Sequence, residues 1–426
     1  MSDLDNAFEM ATSNLRFGAG VTDEVGMDCQ ELGLRRVMVV TDPRVRTLAP
    51  VERVLASLRK NHIDFDVFDR VRVEPSHQSF HDAIAAAKSG KFDGYVAVGG
   101  GSAIDTAKVA NLYTTYPAEF LTYVNAPVGE GQPVPGPLKP LIAIPTTAGT
   151  GSETTGVAIF DYTEQHAKTG IAHRRLKPTL GLVDPENTRT QPAEVAASAG
   201  LDVLCHAVES YTAIRFDQRP RPDRPATRPA YQGNNPVSDV WSERAMVLVS
   251  RYLLRAVRDT QDDEARWNML LASSFAGMGF GNAGCHLCHG MSYPISSMVR
   301  GYTAPGYPAD HAMVPHGVSV ILSAPAVFRF TASACPDRHL RAASLLGADI
   351  TDAKDEQAGE LLAQQLIDYM RQLAVPNGIS AVGFSAADCP ALAKGASLQQ
   401  RVTKLSPRVA DEQDLARLFE QSLTIW

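Results

Sequence analysis

From Arg35 to Thr147, apolar runs rich in β-branched residues alternate with stretches of helical period; after about Pro185 only the helical period remains. Strand, helix and strand in that order predict a parallel sheet covered by helices. The strand candidates are Arg35–Asp42, Asp64–Asp69, "DGYVAVGGGS" and "KPLIAIPTT". Between them lie helix candidates at Val51–His62, at "SFHDAIAAAKSG" ending on Gly90, and at Ser102–Tyr113. From Gly156 to Pro185, "VAIFDY", "KTGIAH" and "TLGLVDP" read as a hairpin and an edge strand of the same sheet. Beyond them, segments such as "PAEVAASAGLDVLCHAVESYTA" and "SDVWSERAMVLVSRYLLRAVRD" are amphipathic. The expected architecture is an α/β domain with a Rossmann-like parallel sheet over residues 1–186, then an all-α domain over residues 187–426.

A chain of 426 residues can bury two such cores. Its net charge of -7 gives no basic excess for nucleic acid, and no apolar run reaches membrane-spanning length. Six cysteines are too sparse for a disulfide framework. The opening "MSDLDNAFEMATSNLRFGAG" is acidic and has no basic or apolar targeting region, so the expected location is cytoplasmic. Two segments read as loops, Asn125–Pro140 and the Arg- and Pro-rich Arg215–Pro236. The second is either a solvated surface loop or a lid bringing positive charge to an anionic substrate.

"AVGGGSAIDTAK" places Gly99, Gly100 and Gly101 between a strand and a helix. Amides at that helix N-terminus can hold a pyrophosphate, with Ser102 as N-cap or phosphate ligand. It is not the usual dinucleotide fingerprint, because Ile104 stands where the third glycine belongs, and no Lys-Ser/Thr follows for a P-loop. The acid that could meet an adenosine ribose, Asp42, precedes the glycines instead of following them. A tight structural turn is the plainer reading. "IPTTAGTGSETTG" is a second polar strand end suited to ligand contact, or an ordinary Thr-rich turn.

Asp202 and His206 stand at i and i+4 on a helical segment, so both face one way and can share a divalent metal. The alternative is a capping Asp and a buried His. With His289 and His316, the set is one carboxylate and three imidazoles, which suits ferrous iron or zinc. "CHLCH" (Cys285–His289) matches the c-type haem signature, but the chain opens without an export signal. Structural zinc would need a second Cys-x-x-Cys.

Taken in order, "TDPRV", "GGGSAIDTAK", "PTTAGTGSE", "LDVLCHAVES", "CHGMSYP" and "VPHGVS" resemble the iron-containing (group III) alcohol dehydrogenases, from Phe17 to the C-terminus. "GNAGCHLCHGMSYPIS", "RPAYQGNNPVSDVW" and "QQRVTKLSP" are similar to the hydroxyacid-oxoacid transhydrogenase branch. Mitochondrial members carry a targeting extension that is not seen here, in keeping with the cytoplasmic expectation.

The resemblance implies a dehydroquinate-synthase-like fold, NAD and ferrous iron (or zinc) as cofactors, and an active site between two domains. It implies Asp202, His206, His289 and His316 as metal ligands and Gly99 to Ser102 at the pyrophosphate. Asp42 would meet the ribose; Asp105, Thr146, Thr147, Thr150 and Lys168 would line the cofactor. Hydroxy acids and oxo acids, or alcohols and aldehydes, are the implied substrates, and a homodimer the implied assembly; a lyase of the dehydroquinate-synthase type is the other chemistry on this fold. Tyr293 stands where many members have a second His, so Tyr293 and His286, expected to face the site, are the catalytic candidates. Cys285 and Cys288 are expected as buried helix residues, and His311 as a false ligand in an extra loop.

Overall fold

The apolar runs of the first half pair as one parallel sheet. Its strands are β1 (Asn14–Phe17), β2 (Arg36–Val40), β3 (Asp64–Phe68), β4 (Gly94–Gly99) and β5 (Leu141–Pro145). After them β6 (Val157–Tyr162) and β7 (Ala167–Ala172) form a separate antiparallel pair, and β8 (Leu180–Val183) returns to the sheet. The spatial order is β1-β8-β5-β4-β2-β3, every neighbouring pair parallel. The computed structural model describes residues 3–165, 167–309 and 311–426. It divides into two compact units, Ala11–Gln191 and a second made of Pro192–Trp426 with the residues up to Met10.

In the first unit, helices α1 (Val25–Glu31), α2 (Ala49–Lys60), α3 (His77–Gly90) and α4 (Gly101–Thr115) alternate with the strands. Val51, Val54, Leu55 and Leu58 recur at helical spacing on α2 and share a core with Val37 and Val39 of β2. Each such buried side chain contributes about 1.5–3 kcal/mol. All six residues of β4 are buried, as expected of a central parallel strand.

Two expectations change. The hairpin β6–β7 is not part of the main sheet, and β8 is not its edge. β8 lies between β5 and β1, because Asn14–Phe17 pairs with Leu180–Val183 in parallel and covers it. Chain order also reverses across β2: the chain steps from β2 to β3 on one side, then to β4 on the other. The C-terminal ends of β2 and β4 therefore flank a topological switch point, where open α/β sheets bind ligands. That adjacency explains the unusual sequence order, since Asp42 follows β2 and the glycines follow β4.

The second unit contains α5 (Ala193–Thr212), α6 (Pro236–Arg258), α7 (Asp263–Ala283), α8 (Leu287–Met298), α9 (His316–Ile321) and further helices up to Gln421. Residues near the N-terminus join it through Asp5. The Asp5 carboxylate accepts from Arg219 at 2.7 Å and Arg228 at 3.0 Å. The Arg-rich segment is thereby stitched down: Arg219 and Arg228 are committed to Asp5 and Arg215 to Asp217, leaving Arg221 and Arg224 exposed. Up to Ala230 it is mostly a surface loop, with much of the charge that a lid would need already spent, whereas Tyr231, Gln232, Asn234 and Asn235 are buried. Among the described residues no helix is long and apolar enough to cross a membrane.

Candidate functional site

Four side chains from three helices meet in the second unit. Asp202 and His206, one turn apart, project from the same face of α5. His289 comes from the first turn of α8, and His316 opens α9. Gly317 lets α9 come this close: a Cβ there would stand 1.9 Å from the Ser198 carbonyl oxygen and 3.1 Å from Asp202 Cβ. Asp202 Oδ1 is the focus. His289 Nε2 lies 3.4 Å from it, His206 Nδ1 3.7 Å and His316 Nε2 3.8 Å. Asp202 Oδ1, His206 Nδ1 and His289 Nε2 are buried and make no hydrogen bond. Buried polar atoms are normally paired. A converging carboxylate oxygen and imidazole nitrogens without partners fit a divalent cation.

The electrostatics agree with this. Burial opposes charge on Asp202, but His206, His316 and His289 outweigh it and hold the carboxyl below its usual range. Burial pushes His206 down to about 3, so the imidazole is neutral and its lone pair available. Phe280 stacks on His206 with ring centroids 3.8 Å apart and fixes its plane.

Sequence reasoning missed Glu209. It sits three residues past His206 on α5 and is fully buried. Its Oε1 accepts the backbone N–H groups of His286 (3.0 Å), Cys288 (2.8 Å) and His289 (3.3 Å), and its Oε2 pairs with His289 Nδ1. Burial raises its pKa, yet His289 and His286 reverse this and bring it down to about 2. One carboxylate thus caps the start of α8 and, by engaging His289 Nδ1, turns Nε2 toward Asp202. A buried acid spaced with Asp202 and His206 was the available signal, but in "HAVES" it reads as an ordinary helix residue.

His286 is sealed in the core: its Nδ1 accepts the Leu287 N–H at 2.8 Å and its Nε2 pairs with Thr212 Oγ1 at 3.0 Å. Both ring nitrogens are engaged, so it does not present an open nitrogen to a substrate. Tyr293 lies one turn past His289 on α8, and its hydroxyl accepts from Arg401 at 2.8 Å. Cys288 is a buried helix residue, but Cys285 lies in the short connection before α8. Its sulfur and one nitrogen each of His206 and His289 lie within 4.8 Å of one another. Burial pushes the Cys285 thiol up to about 11, so it stays protonated. Among the described residues His311 belongs to neither group able to hold a metal.

In the first unit, Gly100 is the N-cap of α4 and brings no side chain. Ser102 is therefore not the cap; its hydroxyl accepts the Glu74 N–H at 3.2 Å. Gly99 has φ 153°, a region that favours glycine, and a Cβ on Gly101 would meet Thr150 Cγ2 at 2.6 Å. The turn is a cradle that any side chain would fill, which fits a closely approaching phosphate. Asp42 Oδ1 accepts the N–H groups of Arg44 and Val45, and Oδ2 is 3.7 Å from where a Gly99 Cβ would be. The Thr146 N–H donates to Gly99 O at 3.1 Å, and Thr147 and Thr150 face Gly100 and Gly101. Asp105 is spent on structure, accepting from Ser152 Oγ at 2.6 Å and the Ile159 N–H at 3.0 Å. Lys168 is buried in ion pairs with Glu74 and Asp161.

A family model described as iron-containing alcohol dehydrogenase matches residues 12–185; one described as Fe-containing alcohol dehydrogenase family, C-terminal, matches residues 230–423. The chain is 59% identical over 422 residues to the Xenopus tropicalis "Hydroxyacid-oxoacid transhydrogenase, mitochondrial", covering 99% of this chain and 91% of the relative. It is 57% identical over 424 residues to the Homo sapiens protein of that name, with 99% and 91% covered. Among solved structures, it matches a 1,3-propanediol oxidoreductase at 28% identity and TM-score 0.85, over 98% of this chain and 100% of that chain. An alcohol dehydrogenase from Oenococcus oeni matches at 26% identity and TM-score 0.86, with the same coverage. The α/β half followed by a helical half is the dehydroquinate-synthase-like fold of these enzymes. The relatives correct one expectation: they are named mitochondrial, which overturns the cytoplasmic location. The acidic opening segment on which that expectation rested carries no information about the compartment.

Proposed function

Because the chain belongs to the iron-containing alcohol dehydrogenase family, in the branch whose relatives are named hydroxyacid-oxoacid transhydrogenases, we propose that it transfers a hydride from a hydroxy acid to a 2-oxo acid. With 4-hydroxybutyrate and 2-oxoglutarate the products are succinic semialdehyde and 2-hydroxyglutarate, a balanced two-electron exchange. The observation that supports the metal-dependent part is the meeting of three imidazole nitrogens on one buried oxygen of Asp202, all within 3.8 Å.

Asp202, His206, His289 and His316 would hold the metal, ferrous iron, while the cradle at Gly99–Ser102, with Asp42, Thr146, Thr147 and Thr150, would hold NAD. When bound, the metal would lower the pKa of the substrate hydroxyl and NAD would take up and return the hydride. Glu209 fixes the His289 tautomer. Tyr293, whose oxygen already accepts from Arg401, keeps its phenolic proton for donation into the site. His286 is a positioning residue that holds the start of α8. A homodimer completes the proposal.

The test uses metal-reconstituted protein, 4-hydroxybutyrate and 2-oxoglutarate with no added NAD, read by mass spectrometry. Equal amounts of both products over many turnovers, with parallel initial-rate lines, are expected. No product, but oxidation of simple alcohols with added NAD, would make it an ordinary alcohol dehydrogenase. Gly101→Val should separate the nucleotide site from the metal site. Its side chain would enter the space beside Thr150, and losing even one amide–phosphate bond costs about tenfold in NAD affinity. NAD retained after desalting is the measurement; full retention alongside a normal metal content would move the nucleotide elsewhere.

A further inference from the structure

Hydroxy acids and oxo acids bring a carboxylate into the site, and none of the four proposed metal ligands offers it a permanent cation. Arg401 does. It sits on the short helix Gln400–Thr403, which packs on α8 so closely that a Cβ on Gly290 would stand 2.8 Å from Thr403 Cγ2. Its Nη2 donates to the Tyr293 hydroxyl, and its guanidinium lies 4.9 Å from the centroid of the Tyr231 ring. Its Nη1 is buried and makes no hydrogen bond. Among the described residues no carboxylate pairs with Arg401, whereas Arg219, Arg228, Arg329 and Arg338 each pair with an acid.

The position matters as much as the missing partner. Tyr293 is one helical turn from His289. Tyr231 borders the connection into α8, where a Cβ on Gly284 would stand 2.9 Å from Tyr231 Cβ. The next residue, Cys285, has its sulfur within 4.8 Å of the His206 and His289 nitrogens. Through Tyr293 and Tyr231, Arg401 thus contacts the helix that carries His289 and borders the connection that carries Cys285.

A buried guanidinium nitrogen without an acceptor is a cost to the fold, and a guanidinium matches a carboxylate through two parallel N–H donors. We propose that Arg401, with the Tyr293 hydroxyl, binds the carboxylate of hydroxy-acid and oxo-acid substrates and selects them over uncharged alcohols. The inference rests on the transhydrogenase reading and names the group that makes the site one for acids.

The experiment compares metal-loaded wild type, Arg401→Met and Arg401→Lys on 4-hydroxybutyrate and on 1-butanol, which lacks the carboxylate. The readout is the ratio of the two kcat/KM values. Arg401→Met is expected to lower that ratio about 100-fold, mainly through KM for the acid; Arg401→Lys, which keeps charge but loses the fork, about tenfold. Arg401→Met should also unfold within about 2 °C of wild type, because it removes a cation that the fold leaves unpaired. A ratio that stays within about threefold in Arg401→Met, or a variant that no longer folds, would overturn the proposal. Wild type that turns over 1-butanol but no hydroxy acid would instead sink the transhydrogenase reading, whatever the variants do.

Discussion

Asp202→Asn is expected to lower kcat/KM by about 10³-fold or more and to leave the purified protein without bound metal. The carboxylate is the only anion in the proposed ligand set, and its Oδ1 lies within 3.8 Å of one nitrogen of each of the three imidazoles. An amide in its place has similar shape but no charge to offset a divalent cation. The metal-free fold should lose only a little stability: asparagine keeps the shape, Asp202 Oδ1 makes no hydrogen bond to delete, and what goes is the attraction of His206, His316 and His289 for the carboxylate. Chelation of the wild type should reproduce the loss of activity, reversibly on adding ferrous salt. Elemental analysis and thermal melts of apo and loaded protein check both halves. Retained metal with retained activity would remove Asp202 from the ligand set. A collapse of the apo melt with metal still bound would make it a structural residue.

The sequence carried most of the sheet and least of the shell around the site, for a physical reason. β2, β4 and β5 are buried on both faces, so each is a nearly unbroken apolar run. β1 is four residues, "NLRF", only partly buried at the edge, and nothing local distinguishes it from a loop. Its pairing with β8, 166 residues away, is a long-range fact that periodicity cannot report. Part of the proposed metal set was legible: i, i+4 spacing on a helix is local geometry and put Asp202 and His206 on one face, whereas His289 and His316 joined them through residue type and the family resemblance. The residues that orient this set were not legible. Glu209 reads as a routine helix acid until α8 lays three backbone N–H groups on it. Arg401 reads as a surface cation until Tyr293 and Tyr231 enclose it. His286 misled in the opposite direction: proximity in sequence to His289 suggested a shared site, yet the turn into α8 points its ring at Thr212. Ser102 misled similarly as a cap, because the N-cap of α4 is Gly100, two residues before it.

Glu209 yields the second large effect, and two substitutions separate its two duties. Glu209→Gln keeps an oxygen for the N–H groups of His286, Cys288 and His289, so the start of α8 should hold and the melting temperature should shift little. Its other terminal atom becomes an NH₂ donor facing His289 Nδ1. That favours the tautomer with the proton on Nε2, the nitrogen 3.4 Å from Asp202 Oδ1 that the metal would need. Metal affinity is therefore expected to fall about 10–100-fold, with activity recoverable at high metal concentration. Glu209→Ala removes the acceptor altogether. Three buried N–H groups and the His289 ring lose their partner, at about 1–3 kcal/mol for each group left unsatisfied. Glu209→Ala should thus lose stability and metal together, while Glu209→Gln loses metal alone. Metal titrations beside urea melts distinguish the two. Wild-type metal affinity in Glu209→Gln would show that His289 keeps its tautomer without this carboxylate. Equal stability of the two variants would show that the α8 amides do not depend on it.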